Sequence, residues 1–223
     1  MSQIEKNTVK GKGQLDDSDY IFFDHTENQG KRFMFVGNSI TLHSIAKSIG
    51  WHNLCGMAAS EPEKDYVHIC ENEILKKYPD AAFCICQVCE WESNYKNGGD
   101  ELYRYESARK FAPDVIIMRC VENCNHKEFD REIFLREYDK LIKYLDPESK
   151  AEIVISTSFW KHPADEAIVE YAKANSYPFC ELSDLGELDE MKAIGKFEHS
   201  GVANHPGDKG MQVIAERILK LVL

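Results

Sequence analysis

The chain has 223 residues, 43% of them apolar and 29% charged, the size and balance of one globular domain rather than a disordered tract. Its 27 Lys and Arg stand against 38 Asp and Glu, and the net charge of −11 opposes binding to a nucleic-acid backbone or an anionic lipid surface. No run approaches the roughly 20 apolar residues that span a bilayer, and residues 1–20 are polar with no signal-like apolar stretch, so the expected setting is cytoplasmic, with neither nucleic acid nor membrane as partner.

Residues 1–30 read as an irregular arm punctuated by Gly11, Gly13 and Gly30, followed by a single domain over 31–223. Within the arm, Tyr20-Ile21-Phe22-Phe23 is able to pair as an edge strand or to pack down. Residues 32–36 form a short apolar run ending at Gly37, the mark of a buried strand. A helical stretch follows from about Thr41 until Gly50. Residues 64–78 place Tyr66, Ile69, Cys70 and Ile74 at helical spacing, and Pro79 stops them. Residues 82–88 read as a second strand, 100–111 as a helix ended near Pro113, and 115–118 as a third strand rich in β-branching. A long amphipathic helix over 128–145, a strand at 152–156, a helix at 164–174, a short strand at 178–180 and a final helix over 206–222 complete the chain. This alternation predicts a three-layer α/β/α fold around a mostly parallel, five-stranded central sheet. In such a fold, ligands lie beyond the carboxyl ends of the strands.

Eight cysteines are scattered through apparent core segments, and a reducing compartment argues against a disulfide framework. Cys84, Cys86 and Cys89 form one cluster, but half of a paired zinc motif inside an apolar run reads as core. Neither a metal nor a cofactor is expected.

Three strand or loop ends carry chemistry. Ser39 leaves the first strand at a glycine turn, where it is either a nucleophile facing the crevice or, like Thr41, a helix cap. His205 sits in a loop just ahead of Pro206, placed to act as a general base if it meets Ser39 across the crevice. Asn123 follows the third strand and Gly56 lies in the next loop, and both are candidate hydrogen-bond donors to an oxyanion.

Gly37-Asn38-Ser39-Ile40-Thr41, then Gly56, then Glu122-Asn123, then His205-Pro206 with Gly210-Met211 resemble, in order, the four blocks of the SGNH (GDSL-like) hydrolase family. The resemblance spans residues 37–211. It implies the flavodoxin-like fold of that family and a serine esterase, with Ser39 as nucleophile and His205 as base. The Ser39 N–H, the Gly56 N–H and the Asn123 side chain would form the oxyanion hole of an acyl-enzyme mechanism. The chain departs from the pattern at Asn38, where Asp is commonest, and at Val121 and Cys124, where Gly and Asp are frequent. It also has Val202 where the triad Asp usually stands, three residues before the His. A backbone carbonyl near Val202, or a remote carboxylate from Glu122 or Glu198, would then have to orient His205, unless the site is weakened. The carbonyl is the simplest, since no second loop need arrive. His43, expected on the helix one turn past Ser39, together with Trp91, Trp160 and His162, are candidates to line a substrate pocket. The resemblance further implies small acyl groups, acetyl above all, carried on small molecules or carbohydrates. The rival reading is a glycan- or ligand-binding domain that kept the fold and lost efficient catalysis.

Overall fold

Among the described residues of the computed structural model, 20–97 and 102–223, the apolar runs assemble into one six-stranded sheet. Residues 1–19 of the expected arm and residues 100–101 of the expected helix at 100–111 lie outside the described residues. The strands are β1 (Ile21–Asp24), β2 (Arg32–Gly37), β3 (Ala82–Gln87), β4 (Val115–Arg119), β5 (Glu152–Ser156) and β6 (Phe179–Cys180). Their order is β1-β3-β2-β4-β5-β6. Five strands run parallel, and β1 pairs antiparallel with β3 along the edge. The sheet therefore has one strand more than the five expected, because the aromatic patch before residue 31 is built into it.

Continuous apolar runs form these strands because helices cover both faces. Successive side chains of β2 alternate between the two layers. Phe33 and Phe35 pack with α1 (Tyr66–Lys77) and the last helix, α7 (Asp208–Val222), while Met34 and Val36 face the other side. That second layer holds α2 (Cys89–Asn94), α3 (Glu106–Phe111), α4 (Arg131–Leu145) and α5 (Ala164–Ala174), and a short α6 (Ser200–Ala203) precedes α7. Cys84 and Cys86 lie in the second core layer, where burial drives their thiol pKa values upward, against a role as thiolates. No described helix is long and apolar enough to cross a membrane.

The main disagreement with the sequence pattern is at 41–50, where no α-helix forms. Ile40 and Leu42 are buried, and His43 bridges Cys55 while Ala46 bridges Trp51, so the segment folds back on residues 51–55 instead of coiling. Only a 3₁₀ turn, Lys47–Ile49, remains, closed by Gly50 at φ +72°. The expected helix at 100–111 is a 3₁₀ turn, Leu102–Tyr105, continued by α3 and ended by Ala112 in the left-handed region ahead of Pro113.

The chain runs from β2 to β3 on one side of it and then crosses back to β4 on the other, so the winding of the sheet reverses at β2. The crevice this opens is the switch point of an open α/β sheet. It receives the ends of β2 and β4.

Candidate active site

At the end of β2 the chain turns so tightly that a Cβ on Gly37 would lie 1.8 Å from Thr41 Oγ1 and 2.7 Å from the Arg119 carbonyl. Thr41 does not cap a helix; its hydroxyl meets the Tyr66 hydroxyl at 2.8 Å inside the core. The turn leaves Ser39 facing the crevice, with its Oγ 2.9 Å from His205 Nε2. His205 Nδ1 lies 2.7 Å from the Gly201 carbonyl oxygen. A carbonyl only accepts, so the proton sits on Nδ1 and Nε2 is left to accept from Ser39. The backbone holds this geometry: α6 places Gly201 one turn back, the His205 N–H donates to the Val202 carbonyl, and the His205 carbonyl accepts from Ala193 N–H at 2.9 Å. Trp160 meets the imidazole edge-on, with centroids 5.1 Å apart. Burial, the largest influence, pulls the His205 pKa down to about 4 against the opposing pull of the Gly201 carbonyl. The imidazole is therefore neutral at neutral pH.

Beneath Ser39 lies a buried polar network. The Asn38 carboxamide donates to Glu92 Oε1 at 2.8 Å and to Glu122 Oε2 at 2.5 Å, and its oxygen accepts from Arg119 at 2.5 Å. An Asp at position 38 would set a third carboxylate against these two, which accounts for Asn where the resembled pattern prefers Asp. Arg119 forks onto Glu122 at 2.6 and 3.3 Å. Burial is the largest influence on Glu122 and opposes its charge, yet Arg119, the Phe159 N–H and Asn38 together hold the carboxyl below its ordinary range. Burial, then Glu122, pushes the Glu92 carboxyl the other way.

The fold divides the remaining residues singled out by the sequence between the site and the core. Asn123 lies after β4 and donates through Nδ2 to Glu92. The Gly56 N–H, expected in the oxyanion hole, is instead spent on Asp65 Oδ2 at 2.8 Å, while the neighbouring Met57 N–H donates to the Ser39 carbonyl. Gly56 itself is required by close approach, since a Cβ there would lie 2.4 Å from the Ile40 carbonyl. Neither remote carboxylate orients His205: Glu122 is held by Arg119, Asn38 and the Phe159 N–H, and Glu198 is exposed. His162 is not a pocket wall. It is buried, with Nδ1 accepting from Ala164 N–H and Nε2 facing the Cys124 carbonyl, and it braces the loop after β4. Trp91 is core, packed on Phe134 and Tyr138. His43 sits outside any helix, half-buried, with Nδ1 on the Ser44 carbonyl. Trp160 does border the site.

Solved structures share this architecture at low identity. A two-domain esterase (CEX) active on acetylated mannans matches with a TM-score of 0.54 at 17% identity, over 86% of this chain and 48% of that one. A lipolytic protein of the G-D-S-L family from Veillonella parvula matches with 0.52 at 15% identity, over 86% and 97%. The fold is that of the G-D-S-L hydrolases. The salicylyl-acyltransferase SsfX3 from a tetracycline biosynthetic pathway adds a TM-score of 0.50 at 15% identity, over 87% and 55%. This chain spans about half the length of the two-domain esterase and of the acyltransferase. No family model and no curated protein sequence matches it.

Two features of this G-D-S-L-fold site escape a reading of the sequence. Glu92 stands apart from every motif block, and the one signal is an acidic residue beside Trp91 just past a strand end. Arg119 hides as the last residue of an apolar strand, fully buried.

Proposed function

We propose that the chain is a serine esterase that removes small acyl groups, acetyl foremost, from carbohydrate or other small-molecule esters. The observation that carries this reading is the 2.9 Å contact from Ser39 Oγ to a His205 Nε2 freed by the Gly201 carbonyl. His205 takes the Ser39 proton as Oγ bonds to the ester carbonyl carbon, and the carbonyl oxygen becomes the oxyanion. The Ser39 N–H, which makes no hydrogen bond among the described residues, and the Asn123 carboxamide are the donors to that charge. The imidazolium then gives its proton to the leaving alcohol as the carbon–oxygen bond breaks, leaving an acyl-Ser39 ester. Water, deprotonated by His205, attacks that ester and releases the acid.

A carbonyl fixes the imidazole tautomer but brings no full negative charge to the imidazolium, so catalysis is slower than with a carboxylate partner. The acyl preference draws support from the mannan-active neighbour, whose substrate is acetylated. Turnover of p-nitrophenyl acetate and labelling of Ser39 by a fluorophosphonate test the reading. Wild type is expected to do both, and Ser39→Ala to lose about 10³-fold or more in rate. A wild type that neither turns over nor labels overturns the esterase in favour of a ligand-binding domain on this fold, the reading that Val202 favours.

A further inference from the structure

Glu92 is a buried acid whose partners span both loops of the site. It is 0% exposed, and its two oxygens accept from four N–H groups. Oε1 takes Asn38 Nδ2 at 2.8 Å and the Val121 N–H at 2.5 Å, while Oε2 takes the Asn123 N–H at 3.2 Å and Asn123 Nδ2 at 2.5 Å. Asn38 precedes Ser39 on the loop after β2, and Val121 and Asn123 belong to the loop after β4. One side chain thus sets the spacing between nucleophile and carboxamide.

Its hold on the second loop works against local preference. Val121 sits at φ +145°, a region β-branched residues avoid, and its N–H is bound to Glu92. A primary amide carries two N–H bonds in one plane. Binding one of them to Glu92 stops rotation of the Asn123 carboxamide and fixes the direction of the other. We propose that Glu92 is a positioning residue that aims the free N–H of Asn123 at the oxyanion formed on Ser39, an inference that rests on the esterase reading above. Only a glutamate carboxylate fits between the two loops, because Gln would bring an amide N–H₂ against N–H donors and Asp is one methylene short of spanning both.

A double-mutant cycle on p-nitrophenyl acetate hydrolysis tests this. Asn123→Ala and Glu92→Gln are each expected to lower kcat about 100-fold with KM within about twofold. Together they should cost no more than Asn123→Ala alone. Losses that multiply overturn the proposal, because Glu92 then acts independently of Asn123. A second readout needs no turnover. The side-chain ¹⁵N–¹H₂ pair of Asn123, assigned by its disappearance in Asn123→Ala, should show one proton far downfield in wild type and an ordinary pair in Glu92→Gln. An unchanged pair overturns the proposal even if kcat falls. Should Glu92→Gln fail to fold, Glu92→Asp takes its place in both measurements with the same expectations. The two readings fail separately: an unlabelled Ser39 beside an intact Asn123 signal defeats the esterase, and a labelled Ser39 beside an indifferent Asn123 defeats the positioning role.

Discussion

Among the described residues His205 has no carboxylate partner, and in the proposed reading its environment makes it a weak but ready base. Burial dominates, and the pKa falls from 6.5 to about 4. The sign is favourable for taking a proton at neutrality, since the free imidazole predominates at every pH above that value. Titration of the His205 ring protons by NMR should give a midpoint near 4. A midpoint at or above the ordinary 6.5 would mean that a carboxylate, not Gly201, faces Nδ1. Ser39 and His205 are legible as candidates because a serine and a histidine sit at fixed positions in short motifs. Glu92 is not, because its role depends on which loops meet around it, and Gly56 misleads because nothing in its motif shows that Asp65 claims its N–H.

At the scale of elements, periodicity serves well wherever one face is apolar over several turns. In α4 the buried residues Phe134, Tyr138, Leu141, Ile142 and Leu145 form such a stripe. The expected start at 128 gives way to Arg131, because Asp130 takes the Ile133 N–H at 3.0 Å and caps the helix, while His126–Glu128 form a 3₁₀ turn. Asp130→Ala is expected to lower stability by about 1 kcal/mol in urea denaturation while leaving kcat unchanged, as the hydrogen bonds of Asp130 go to Ile133, Phe134 and Tyr95 and to none of the candidate site residues. A kcat loss would tie this helix to the site. The segment at 41–50 shows where periodicity fails. Its residues suit a helix locally, and the bridges of His43 to Cys55 and Ala46 to Trp51 overrule them.

For the molecule as a whole, the sheet edge is the vulnerable boundary. Ile21, Phe22 and Phe23 are buried, and β1 shields the edge of β3 over residues 83–86. Removing the chain through Asp24 unpacks three large apolar side chains, worth roughly 5 kcal/mol or more by area. It also bares a row of unpaired backbone groups. Light scattering and thermal melts should show self-association and a lower Tm for that truncation. A truncation through Asp24 that stays monomeric and equally stable would show that β3 needs no cover.

The order of strands and helices, the two-sided burial of the sheet and the candidacy of Ser39, Asn123 and His205 follow from the sequence alone, because apolar periodicity and short motifs are properties of neighbouring residues. What accepts the ring N–H of His205, which backbone donors are free and how Glu92 joins two loops follow only from the tertiary structure. Those contacts join residues as distant as 39 and 205, and their geometry depends on how every intervening element packs.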